Sequence, residues 1–387
     1  NTAVTGITPP SRTSYVKDNE DIRTLAQSLF PSSEFFRVER ESRKTRNDGA
    51  WLNFPSVSLF SSLTNADCTA FFKAVGCEGS TNAYGINGST PLIDMLLSLR
   101  YDIYAGPQID GEGRKFIESR GDSYLYENNY VLPVGFMLPE GMDEDWLLEL
   151  SDPVLLQDSI CDMLGVQQVL VPNGEPGNTD GEEYAVTITQ DGEYYALIKN
   201  PRVRDATVLW PERKKTFNNT DRGFLLELGD CERGETIHIT SETRGEDMQV
   251  EVYRFNYAAL RQIYEKLSPG GMETDAWEDC RIRGKVNVTE DMLYGGTDSG
   301  RLFFSIPYDR GWTVTVDGEP VETEKAFDAF LSVSVPFGEH VIELTYMPEG
   351  LMEGAAISLL SAVLLGLALM AERRRDRRDM EEKIEEL

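Results

Sequence analysis

The run AAISLLSAVLLGLALMAERRRDRRDM near the C-terminus constrains this chain more than any other stretch. Leu351 to Ala371 is 21 residues long and carries one charge, Glu353, near its start. An α-helix rises about 1.5 Å per residue, so such a stretch extends roughly 30 Å, the thickness of a bilayer's hydrocarbon core. A core helix of a globular domain would show a recurring polar face. Between Gly354 and Ala371 the only polar side chains are Ser358 and Ser361. The pattern predicts a transmembrane helix over 351–371 and a short tail over 372–387.

The flanks orient the span. Arg373, Arg374, Arg375, Arg377 and Arg378 follow it, whereas no Lys or Arg lies between Val335 and Leu351. The positive-inside rule then places the tail in the cytoplasm and residues 1–350 outside. The chain starts at Asn1, and residues 1–20 contain no apolar signal-peptide core. Something upstream is therefore expected to have carried the ectodomain across, either a cleaved signal peptide or earlier transmembrane helices.

The chain carries 66 acidic and 37 basic residues, a formal charge of −29. Setting aside the tail and Glu353 leaves about −27 on the ectodomain, so its acidity is its own. That balance argues against nucleic acid as a partner and against adhesion to anionic lipid. The two histidines, His238 and His340, are far apart and no Cys-x-x-Cys pair exists, which argues against a zinc site. Five cysteines are an odd count for an outside domain, and whether Cys68 and Cys77 close a small disulfide loop stays open. The stretch NTDGEE at Asn178–Glu183 has its glycine too early for an EF-hand and reads as a polar turn.

Periodicity gives an α+β chain. A mixed helix/strand domain is expected over 1–172. Its helices start at Asp21 (Ile22, Leu25, Ala26 and Leu29 on one face), at a capping box around Thr64–Asp67, at Thr90-Pro91, and at Asp152. Strands are expected at Phe35–Arg40, after Arg100 and at Tyr124–Tyr126. From Glu183 the period becomes two, with QDG as the turn between Tyr184–Ile188 and Tyr194–Ile198. This predicts a β-sandwich over 182–268, interrupted by a helix at Tyr257–Leu267, and a second β-rich domain over 269–350 with a hairpin at Asp317-Gly318.

Several stretches, in order, resemble the YfhO family of large polytopic bacterial membrane proteins: LFSSL (Leu59–Leu63), GSTPLIDMLLSLRY (Gly88–Tyr101), NNYVLPVGFM (Asn128–Met137) and DPVLLQDSICDMLG (Asp152–Gly165). The terminal block LFFSIPYDRGWTVTVDGEPV, followed by PFGEHVIELTYMPEGL and the last apolar helix, resembles the end of the same family. The resemblance implies a GT-C-type glycosyltransferase of the bacterial cell membrane. It implies a sugar donor carried on undecaprenyl phosphate and an envelope polymer such as lipoteichoic acid as acceptor. It also implies that the catalytic carboxylate belongs to an early loop outside this sequence, so no catalytic residue is carried over and no cofactor is expected here. Asp152 and Leu156 depart from the family pattern at a helix start.

Exposed aromatic rings beside carboxylates and amides are the natural sugar-binding pattern. Trp210, Trp277, Trp312 and Tyr194 are the candidates, each with core packing as the competing reading. Tyr194 and Tyr195 point to opposite faces of their strand, so at most one is exposed. Thr90 and Asp94 suit helix capping as well as chemistry, and the basic clusters at Arg213–Lys215 and Arg281/Arg283 read as surface. Two functions remain: a region of a polytopic glycosyltransferase that shapes the acceptor path, or a single-pass surface protein that binds glycan or protein. The partners expected are the bilayer and a glycopolymer.

Overall fold

A computed structural model describes residues 13, 16–143, 152–174, 177–178, 183–241, 243 and 245–385. It shows an α+β fold with one long C-terminal helix. The first sheet contains, in order, strands Arg37–Arg40, Leu99–Tyr104, Ser123–Asn128 and Arg114–Arg120. The first two run parallel, which requires a long crossover. That crossover carries helices Asp48–Leu52, Ala66–Ala74 and Pro91–Leu96. Helix Asn19–Ser28 closes one core by burying Ile22, Leu25 and Ala26 against Phe36, Val38 and Ile103.

Local chemistry differs from the sequence pattern at two helix starts. Asn65, not Thr64, caps helix Ala66–Ala74, its Oδ1 accepting from the Asp67 and Cys68 amides at 2.8 and 3.3 Å. Thr64 is occupied elsewhere, donating to the Ser61 and Asn82 carbonyls. Thr90 precedes helix Pro91–Leu96, but its hydroxyl donates to Gln157 Oε1 at 2.7 Å rather than capping. Asp152 does cap helix Pro153–Met163, as its spacing suggests.

Two sheets share the middle core. One contains Glu183–Thr187, Thr236–Ser241, Asp205–Leu209 and Lys214–Asn218; the other contains Leu226–Cys231, Gly192–Ile198, Gln249–Phe255 and Leu170–Pro172. The expected hairpin across QDG is absent, because Glu183–Thr187 and Gly192–Ile198 belong to opposite sheets. The reason lies in burial. Gly192–Ile198 is covered on both faces, and its two edges already pair with Leu226–Cys231 and Gln249–Phe255. The polar stretch Asn178–Glu183 lies largely outside the described residues.

A second pair of sheets follows. One is Glu273–Glu278, Arg281–Val288, Gly338–Tyr346, Trp312–Val316 and Glu319–Val321; the other is Thr323–Ala326, Phe330–Pro336, Ser299–Pro307 and Gly135–Leu138, the last supplied from the first third of the chain. Asp317 and Gly318 form the hairpin turn with φ of 52° and 88°, which suits a type I′ geometry. All five cysteines are free thiols, Cys68 and Cys77 among them. The last helix, Leu351–Glu385, contains the apolar stretch long enough to cross a membrane and continues without a break through the arginines.

Helices Ala66–Ala74, Pro91–Leu96, Pro153–Met163 and Tyr257–Leu267 meet in a central apolar layer that also takes Tyr195 and Phe255 from the middle unit and Phe303 and Phe330 from the last one. Inside it sits fully buried Gln157, which accepts from Thr90 and donates Nε2–H to the Val75 carbonyl at 2.8 Å. Replacing Gln157 by Leu leaves a buried hydroxyl and a buried carbonyl without partners. The expected loss is about 2–3 kcal/mol of unfolding free energy, read as a lower denaturation midpoint.

Candidate functional site

The polar side chains of highest interest lie where the first sheet meets the middle unit. Asp102 and Tyr104 alternate on one strand, so they project to the same face. Glu193 and Tyr195 do likewise on the strand opposite. Glu227 is the cross-strand partner of Tyr195, next to a bulge that leaves Gly229 opposite Tyr194. Asp94 comes from helix Pro91–Leu96 and Tyr257 from the start of helix Tyr257–Leu267. Together with Arg114 they line a cavity of about 50 Å³. That is room for water rather than for a sugar.

Glu193 is the hub. Its Oε2 accepts from Arg114 Nη2 at 2.9 Å and from the Tyr257 hydroxyl at 2.6 Å, and its Oε1 accepts from the Tyr195 hydroxyl at 2.5 Å. The guanidinium also donates to Tyr104 Oη at 3.1 Å. Asn128 Nδ2 donates to Asp102 Oδ2 at 2.8 Å, and the Ser89 hydroxyl donates to Asp94 Oδ1 at 2.5 Å. Gly113 is required next to Arg114, because a Cβ there would fall on the Tyr257 hydroxyl.

Five carboxylates (Glu41, Asp94, Asp102, Glu193 and Glu227) face one guanidinium in this cavity. Burial pushes the Asp102 carboxyl up to about 7. Burial, followed by the charge of Asp102, raises Asp94 well above the carboxylate range, and burial raises Glu227. The phenols of Tyr104, Tyr195 and Tyr257 are also raised, first by burial and then by neighbouring charge. Among the described residues no three His, Cys, Asp or Glu side chains are arranged to hold a metal ion.

Gly113, Arg114, Glu193 and Tyr257 also line a second, open space of about 1480 Å³. This groove runs between the loops around Gly111, Asp191, Trp210, Arg233 and Asn256. Trp210 ends one strand of the hairpin Asp205–Leu209/Lys214–Asn218, and its backbone N–H donates to the Arg213 carbonyl at 2.9 Å. The exposed Arg213 guanidinium lies 4.3 Å from the Trp210 ring centroid and donates to the Leu228 carbonyl at 2.7 Å. Trp210 is only 7% exposed, so Arg213 is part of its cover. Its indole N–H is buried beside the Cys231 thiol.

The four aromatic candidates do not form one platform. Tyr194 is fully buried in the middle core, with its hydroxyl donating to the Gln190 carbonyl at 2.9 Å. Tyr195 is buried on the other face, so neither tyrosine is exposed. Trp277 is half-buried among Phe30, Phe35 and Phe36 and donates Nε1–H to the Ser32 carbonyl. Trp312 packs on Tyr346 at 4.9 Å. Only Trp210 borders the groove, and it too is buried as part of the middle core. Asp94 reaches the cavity, whereas Thr90 turns to Gln157. The sequence reading missed Arg114, Asp102 and Glu193. The available signal was a charged residue inside an otherwise apolar strand, GEYYALI.

A family model described as bacterial membrane protein YfhO matches residues 1–358. The uncharacterized protein YfhO of Bacillus subtilis (strain 168) is 27% identical over 115 residues, which is 30% of this chain and 12% of that protein. The match thus spans about an eighth of the curated relative. Among solved structures, the arabinofuranosyltransferase AftD from Mycobacteria is similar at 13% identity over 47% of this chain and 14% of its own, with a TM-score of 0.18. Hazelnut (Corylus avellana) vicilin is similar at 9% identity over 44% of this chain and 70% of its own, with a TM-score of 0.13. Superpositions at these scores carry no argument about fold or chemistry.

The raised carboxyls have a measurable consequence. Groups with folded pKa above the unfolded value keep protons that the unfolded chain releases, so stability falls as pH rises from about 4 to 7. The melting temperature is expected to be higher at pH 5 than at pH 7.5. Asp102→Asn, which cannot titrate, is expected to remove part of that dependence.

Proposed function

This chain belongs to the YfhO family of bacterial membrane proteins, and from that membership we propose that it is the extracytoplasmic C-terminal region of a polytopic glycosyltransferase. Residues 1–350 stand outside the membrane and the arginine-rich end of the last helix lies in the cytoplasm. Its two-sheet units act as β-sandwiches, within an N-terminal domain over 1–172, a middle domain over 182–268 and a last domain over 269–350. The donor is a sugar on undecaprenyl phosphate and the acceptor an envelope polymer such as lipoteichoic acid. The catalytic carboxylate comes from the part of the protein that precedes this chain.

The observation that carries the acceptor role is the groove beside Trp210, large enough for several sugar rings and floored by Arg114, Glu193 and Tyr257. A sugar stacks on Trp210 once Arg213 swings off the ring, and the carboxylates take its hydroxyls. Seven carboxylates against four guanidiniums line the groove. Its field therefore disfavours a run of phosphates and favours sugar rings and polyol hydroxyls of the polymer. Trp277, Trp312 and Tyr194 bind no sugar in this reading, because Trp277 and Trp312 lie in other packing environments and Tyr194 is buried.

The test uses the full-length protein in cells, with labelled sugar counted in the purified envelope polymer. Weakening a stacking contact of about 1 kcal/mol while keeping an apolar ring in the middle core, Trp210→Phe is expected to lower incorporation by up to roughly fivefold at an unchanged level of the protein in the membrane. Unchanged incorporation would remove the acceptor role from the groove. If deleting the whole gene leaves incorporation unchanged, the glycosyltransferase reading itself fails.

A further inference from the structure

The apolar residues left exposed outside the last helix are not scattered evenly. Leu63 is 93% exposed, and Leu59 and Phe60 beside it are also exposed. Leu63 tips a rigid turn. The Thr64 amide donates to the Ser61 carbonyl at 3.1 Å, the Thr64 hydroxyl donates to the Ser61 and Asn82 carbonyls, and the Leu63 amide donates to Ser61 Oγ. Asn47 holds the Phe60 backbone on both sides, accepting from its N–H at 2.8 Å and donating to its carbonyl at 2.9 Å. A leucine held out into water by this many hydrogen bonds has no role in the core, and exposed apolar clusters mark contact surfaces.

The turn lies close to the point where the chain leaves for the membrane. Asn65, two residues after Leu63, donates Nδ2–H to the Tyr308 carbonyl at 2.9 Å. Tyr308 opens the turn Asp309–Gly311, and the Met347 amide donates to the Gly311 carbonyl at 2.9 Å. Met347 is 53% exposed and four residues from the first residue of the apolar helix. Trp312 and Tyr346 stack half-buried beside it, closing this end of the last core.

We propose that Leu63 and Phe60, together with Tyr308, Trp312 and Met347, form a face that rests in the interfacial layer of the bilayer and fixes how the ectodomain stands on the membrane. Two observations favour lipid over a protein partner. The Asn65–Tyr308 and Met347–Gly311 hydrogen bonds tie the turn to the segment that enters a membrane-crossing helix, and tyrosine and tryptophan beside such an entry match the aromatic belt of membrane proteins. The stretch 59–64 carries no charge, and Lys325 near it pairs with Asp67 at 2.5 Å. Glu349 and Glu353 remain, on the connector and the helix start. On an ectodomain of about −27, an uncharged stretch is what anionic lipid repels least.

The experiment places an environment-sensitive fluorophore on Leu63→Cys in a Cys280→Ser background, since Cys280 is the exposed native thiol. The chain is reconstituted in nanodiscs of phosphatidylglycerol and phosphatidylethanolamine. The same label on Ile109→Cys, 65% exposed in the groove loops, reports a site away from this face. The expected result is a blue-shifted emission at position 63 that loses intensity when brominated lipids replace ordinary ones, with position 109 unaffected. Water-like emission at position 63 would overturn the proposal. So would a blue shift that brominated lipid does not quench, which would mean that protein and not lipid covers the face.

Discussion

Burial in one central apolar layer is what allows four of the short helices of this chain to exist. At nine, six, eleven and eleven residues, Ala66–Ala74, Pro91–Leu96, Pro153–Met163 and Tyr257–Leu267 are too short to be stable alone in water. Each fully buried Leu or Phe that they contribute is worth about 1.5–3 kcal/mol, and the same burial joins the two-sheet units. Close backbone approach makes the junction tight. The Leu225 amide donates to the Gly76 carbonyl at 2.8 Å, and a side chain on Gly88, at φ 82°, would overlap the Gly76 and Leu225 carbonyl oxygens. The interfaces between the parts are therefore interior, and the acidic cavity forms at their seam.

That cavity is an electrostatic cost placed at a junction. The Arg114 guanidinium and the Lys215 ammonium, which pairs with Glu41, are fewer than the carboxylates they serve, and burial lifts Asp94, Asp102 and Glu227 together. Glu193 is the exception in geometry: three donors converge on it, one of them Arg114. Those donors come from the first sheet, the middle unit and helix Tyr257–Leu267. Because Arg114, Glu193 and Tyr257 also floor the open groove, an occupant there touches the groups that hold the first sheet to the middle unit.

The sequence made the helices and most strands legible wherever one local rule acted alone. Ile22, Leu25 and Ala26 line one face as their spacing implies, Asp152 caps its helix, and Asp317-Gly318 makes its hairpin. Misreadings occurred where a distant partner outbid the local one. Thr90 gave its hydroxyl to Gln157, Thr64 gave its own to Asn82, and the strands flanking QDG separated into different sheets. The strand Arg114–Arg120 was invisible because its residues are mostly exposed and charged, without the alternation that marks a buried face. The site was missed for a related reason: Asp102, Arg114 and Glu193 are far apart in sequence, and only the packing of two sheets makes them neighbours.

The three described tryptophans considered as sugar binders show how little residue type settles by itself. Trp210 borders a groove under an arginine, Trp277 is wedged among phenylalanines, and Trp312 closes the end of a core beside the chain's exit to the membrane. The difference lies in what surrounds each ring. Charge and hydroxyl acceptors around Trp210 suit a polar ligand, whereas the uncharged stretch near Trp312 suits the lipid interface. The helix enters after Gly350, a residue with φ of 76°, so the connector Met347–Gly350 and the contacts beside it set the angle between this unit and the helix.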